Sequence, residues 1–101
     1  MAMVIVQGVF SVDPNERDRF VEASIEGMRS SRQEEGCLEY VMAADPLDPG
    51  RAVLSERWES MGHLEQHLAQ QRNAPRGAEP RPVPRSVEIT LFEVATSRPL
   101  F

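Results

Sequence analysis

Apolar residues recur along this chain with two periods, every second residue and every third to fourth, and the switches between them predict its elements. Residues 3–12 are rich in Val and Ile and read as a strand, with Val4, Val6, Phe10 and Val12 on one face and Met3, Ile5 and Val9 on the other. Phe20, Val21, Ser24, Ile25 and Met28 then fall on one side of a helix predicted over 14–35. Asp13 stands as its cap, Pro14 suits its first position, Glu16 completes a capping box, and Gly36 supplies a left-handed stop. Residues 37–44 and 52–59 read as two strands of an antiparallel hairpin joined by a proline-bracketed turn at 45–50. Ser60 caps a helix predicted to run to about Asn73, with Met61, Leu64 and Leu68 turned inward. Prolines at 75, 80, 82 and 84 exclude helix and central strand from that stretch, and residues 86–95 form the fourth strand.

The order β-α-β-β-α-β predicts an α+β, ferredoxin-like fold in one domain spanning 1–101: a four-stranded antiparallel sheet with two helices on one face. A sheet with one wet face alternates apolar and polar residues. The first and last strands do not, since Val87, Ile89 and Leu91 oppose Phe92 and Val94 just as the first strand is apolar on both sides. The expectation is a homodimer whose sheets face one another.

Net charge changes the picture by exclusion. At −5 the chain is a poor general partner for nucleic acid or an anionic membrane. No apolar run approaches the roughly 18 residues of a membrane span. The N-terminus lacks a basic n-region, so the expected location is the cytoplasm. All 11 basic residues are arginine, which removes Schiff-base lysine chemistry and a phosphate-loop lysine together. No glycine-rich nucleotide fingerprint occurs, so no tightly bound nucleotide cofactor is expected. The single Cys37 opens an apolar strand and reads as a buried, inert thiol. Arg72, Arg76, Arg81 and Arg85 make a basic cluster that reads as a solvated loop or as a gate for an anionic ligand.

Candidate chemistry gathers on the hairpin and the second helix. Trp58 reads either as core or as a flat wall for an aromatic ligand with an indole N–H to donate. His67 reads either as a satisfied border residue or as a base suited to a phenol proton near neutral pH. Glu56 shares a strand face with Leu54 and Trp58, which places a carboxylate among apolar neighbours and asks for an arginine partner or a pocket. Tyr40 and Met42 share a face of the preceding strand, and Phe92 is the aromatic of the last; each is pocket wall or plain core. His63 and His67 lie four residues apart, but no zincin glutamate stands in the required place, so no metal is expected.

The run from Ser31 through Glu34-Glu35-Gly36-Cys37 to Tyr40, the pairs Asp45-Pro46 and Asp48-Pro49, the segment Glu56-Arg57-Trp58-Glu59-Ser60, and His67-Leu68 together resemble the antibiotic biosynthesis monooxygenase family of dimeric α+β barrels. The resemblance implies a subunit that dimerises through its sheet and holds a pocket between sheet and helices. It implies oxidation of a phenol or hydroquinone by dioxygen with no cofactor, carried here by His67 and Trp58 with Tyr40, Glu56, Met42 and Phe92 around the ligand. Related members bind and degrade haem, which gives a second expectation with His67 as axial ligand; a third is a dimer that binds a small ligand without turnover. The sequence departs from the family pattern at Arg72, where a second histidine is common, at Leu54, near which some members carry an asparagine, and over 75–85, where an additional helix is common.

Overall fold

The computed structural model describes residues 2–73 and 81–101. Its elements are β1 (Val4–Ser11), α1 (Arg17–Glu22), α2 (Ile25–Arg32), β2 (Cys37–Ala44), β3 (Arg51–Trp58), α3 (Met61–Asn73) and β4 (Ser86–Glu93). The strands form one antiparallel sheet in the order β2-β3-β1-β4, as the ferredoxin-like reading requires.

The helix expected over 14–35 is two helices. Asp13 Oδ1 accepts the N–H of Asn15 at 2.9 Å, so this carboxylate closes a local turn and helix begins at Arg17. At Ala23 and Ser24 the chain tightens: Ser24 N–H donates three residues back to Val21 O at 2.9 Å, and its hydroxyl donates to Phe20 O at 3.2 Å. The break shifts the phase of the apolar stripe. Phe20, Ser24 and Ser31 are buried, whereas Ile25 turns outward.

Gly36 adopts φ 83°, the left-handed stop that the sequence demanded. A Cβ there would lie 2.2 Å from the ring of His63, so α3 closes directly over the start of β2. The hairpin turn is held by its own aspartates and by a helix. Asp45 Oδ1 takes the N–H of Leu47 at 2.8 Å, Asp48 Oδ1 takes that of Gly50 at 2.9 Å, and Arg17 Nη1 donates to the carbonyls of Asp45 and Asp48 at 2.9 and 2.8 Å.

Two apolar clusters lie between sheet and helices. Val12, Phe20, Met42, Ala52 and Leu54 pack under α1 and α2; Val4, Val6, Trp58 and Leu64 pack under α3. Each fully buried large side chain contributes about 1.5–3 kcal/mol. Tyr40 packs against both clusters and marks their seam. β4 lies on the edge of the sheet beyond the helices, and Val87, Ile89, Leu91 and Phe92 are all exposed.

Candidate functional site

A cavity of about 650 Å³ opens at the seam between the two clusters. Strand pairing explains its sheet wall: Tyr40, Glu56, Val6 and Leu91 stand in one row across all four strands, and Met42, Leu54, Gly8 and Ile89 in the next. The helices supply Phe20, Leu64 and Leu68, and the segment entering β4 supplies Arg81 to Pro84. Most of this lining is apolar; Tyr40, Glu56, Gln71 and Arg81 are its strong polar groups.

Glu56 is 6% exposed and, among the described residues, is the one carboxylate on the wall. Burial pushes its pKa up; the indole N–H of Trp58, donated to Glu56 Oε1 at 2.9 Å, and the nearby His67 oppose that rise, and the charge of Glu34 adds to it. Behind Glu56 stands His67, which is 2% exposed and takes no part in the cavity wall. Its Nε2 lies 4.0 Å from Glu56 Oε1, its Nδ1 lies 2.7 Å from Glu34 Oε2, and its ring packs 4.7 Å from Trp58 and 5.5 Å from Tyr40. Trp58 is fully buried and also lies off the wall.

Tyr40 presents its ring to the cavity. Burial and the charge of Glu56 raise its pKa, with hydrogen bonding to Gln71 and Ser31 and the charge of Arg81 opposing, so it stays a phenol donor at neutral pH. Arg81 places its guanidinium 4.9 Å over the Phe20 ring and donates to Ser24 Oγ at 2.8 Å, so of the described members of the loop cluster it is the one on the cavity. Arg85 instead pairs with Asp13 at 3.3 Å, Arg72 is exposed, and Arg76 lies outside the described residues with most of the proline-rich run.

The six residues singled out in the sequence thus separate by place. Tyr40, Met42 and Glu56 line the cavity. His67 and Trp58 form a buried layer behind Glu56. Phe92 pairs with Ile5, one residue out of phase with Leu91, and so stands on the opposite face of the sheet, away from the cavity. Leu68, read as the inward neighbour of His67, is 40% exposed at the cavity mouth, and the histidine is the deeper of the two. Glu34 is the functional candidate that sequence reasoning passed over; Arg81 was read there only as one member of a loop cluster. Glu34 belongs to the helix stop rather than to any periodic face, and only the fold brings it to His67, 33 residues away.

His63 takes no part in this layer: Ser60 Oγ lies 2.7 Å from its Nδ1 and accepts its backbone N–H at 3.3 Å. Cys37 is half-buried, and burial followed by the charges of Glu34 and Glu56 raises its thiol pKa, which leaves it a weak nucleophile. Among the described residues, no three His, Cys, Asp or Glu side chains converge in a metal-binding group, and no helix is long and apolar enough to cross a membrane.

The sequence profile of the antibiotic biosynthesis monooxygenase family matches residues 3–72, which include β1 to β3 and nearly all of the helices. The chain belongs to that family. Among solved structures, a candidate antibiotic biosynthesis monooxygenase from Deinococcus radiodurans is similar over 97% of this chain and 98% of its own, at 22% identity and a TM-score of 0.75. A protein from Shewanella oneidensis covers 92% and 91% at 15% identity and a TM-score of 0.74. One from Mycobacterium tuberculosis covers 98% and 99% at 22% identity and a TM-score of 0.66. At these identities the likeness establishes the shared fold. No curated protein matches the chain.

Proposed function

We propose that this member of the monooxygenase family is a cytoplasmic enzyme that oxidises a phenol or hydroquinone with dioxygen and needs no metal or organic cofactor. The observation that carries the reading is Glu56: a buried carboxylate of raised pKa on the wall of a mostly apolar cavity. A carboxylate so placed is a base poised nearer neutrality than an ordinary one. The electron-rich ring would lie against Met42, Leu54 and Leu64 with its hydroxyl on Glu56, while Tyr40 and Arg81 meet other oxygens of the ligand.

Loss of the phenol proton to Glu56 raises the electron density of the ring, and the phenolate passes electrons directly to dioxygen. A hydroquinone gives up two electrons and two protons, leaving quinone and hydrogen peroxide. A phenol bearing a ring methylene takes one oxygen atom as a ketone and releases the other as water. Either balance closes without an external reductant. The cavity contributes by excluding water and orienting the ring. His67 and Trp58 act through Glu56: the indole holds one carboxylate oxygen, and the imidazole stands behind it.

Haem is the weaker fit. An axial ligand needs a ring nitrogen aimed into the pocket, whereas His67 is buried behind Glu56 with Nδ1 held by Glu34. The face of the sheet turned away from the helices carries Ile5, Val9, Val41, Val53 and Phe92, and nothing among the described residues covers it, which supports a homodimer joined through that face. The testing experiment is oxygen consumption with a panel of hydroquinones and polycyclic phenols. Uptake well above the autoxidation rate is expected for at least one class; none above that rate across the panel rejects the enzyme and leaves a ligand-binding dimer. A hemin titration with no Soret shift is also expected.

A further inference from the structure

We infer that Glu34 is a positioning residue that turns His67 into a store for the substrate's proton, holding it between abstraction in the cavity and the reduction of dioxygen. This rests on Glu56 as the base. Both oxidations above are proton-neutral overall: the protons that leave the ring are needed again to complete hydrogen peroxide or water. An apolar cavity has little place to keep one meanwhile, because a proton left on Glu56 stops it from acting again within the same turnover.

The layer behind Glu56 meets that need. Nδ1 of His67 faces a carboxylate oxygen of Glu34 at 2.7 Å, and a carboxylate only accepts, so the neutral ring carries its hydrogen on Nδ1. Nε2 is then the ring's free lone pair, with Glu56 Oε1 4.0 Å away, a gap that a turn of the carboxylate closes. The proton moves from Glu56 to Nε2, and its O–H bond breaks as the N–H bond forms. The ring becomes an imidazolium between two carboxylates, and the ionised Glu56 is again a base. The reverse hop returns the proton through Glu56 to the reduced oxygen. No electron moves in either step, and the ring needs no rotation, which its packing between Trp58 and Tyr40 would resist. The titratable groups around the ring are Glu34 from the turn after α2, Glu56 from β3 and Tyr40 from β2; Glu34 is the more exposed of its two carboxylates, at 15% of its side chain against 7% for Glu56.

Nitrogen-15 NMR of the imidazole tests the geometry without substrate. The full chain should show the ring hydrogen on Nδ1 of His67 with Nε2 free, and Glu34→Ala should move that hydrogen to Nε2. A wild-type ring already protonated at Nε2 cannot take a proton from Glu56 and overturns the inference, whatever the protein oxidises. Turnover supplies the second reading. Glu34→Gln keeps an oxygen for Nδ1–H but removes the charge, so kcat should fall about ten- to a hundredfold with KM and melting temperature unchanged. Unchanged kcat overturns the inference, and so does a loss matched by changes in KM and melting temperature, which marks a structural role. A wild type with no oxygen uptake rejects the proposed function instead, and the tautomer then decides the placement of Glu34 alone.

Discussion

Glu56 carries opposite consequences for stability and for chemistry. Burial holds its folded pKa above the unfolded value. Its contribution to stability is therefore complete below the unfolded pKa and is lost as pH rises through the folded one. Glu56→Gln keeps an oxygen for the Trp58 indole and removes the buried charge. The urea midpoint of that variant should gain on that of the wild type as pH rises from the carboxylate range toward neutrality; parallel curves would mean that Glu56 ionises as freely in the fold as in the unfolded chain. The same substitution should lower oxygen uptake at least about a hundredfold, the lower end of what a general base contributes. At this scale the sequence was legible where a side chain broke a pattern: Glu56 stood out because Leu54 and Trp58 flank it on one strand face. It was silent on depth. His67 and Leu68 are adjacent on a helix edge, and only the packing of Trp58 against the imidazole decides which of them is buried.

Elements meet where small residues allow it. The stop at Gly36 lets α3 cross the start of β2 with the His63 ring against the backbone, and the same turn delivers Glu34 to His67. Gly36→Ala adds a left-handed non-glycine residue, about 1–3 kcal/mol of strain, together with a clash that must displace His63. A urea denaturation curve should show a loss of about 2 kcal/mol or more, and an unchanged midpoint would mean that α3 shifts freely over this turn. Strand boundaries were legible to within two residues because alternation and turn residues agree there. The helix over 14–35 was not, since its apolar spacing runs through Ser24 without interruption while the serine hydroxyl and a shortened backbone bond break the helix at that point. Periodicity records which side chains turn inward; it carries less about backbone bonds that a local hydroxyl can redirect.

At the scale of the whole molecule, the described residues cover the sheet on one side only. The uncovered face is less uniformly apolar than β1 and β4 suggested, because Gln7, Ser55, Thr90 and a Glu39–Arg57 pair at 3.5 Å interleave with Ile5, Val9, Val53 and Phe92. That mixture suits an interface between copies, which keeps polar groups among its apolar ones. Sedimentation should give a particle of twice the chain mass, and Val53→Arg, which sets like charges from both copies against each other, should return it to the monomer. A monomeric wild type would contradict the assembly without removing the cavity walls that this chain supplies.

The rate of oxygen uptake against pH, measured on the intact protein with its best phenolic substrate, bears most directly on Glu56 as the base. The rate should rise with pH through a midpoint above the ordinary carboxylate range and below the substrate's own phenol ionisation, and that limb should vanish in Glu56→Gln. A rate that follows the free phenol's ionisation, identically in wild type and variant, would contradict it.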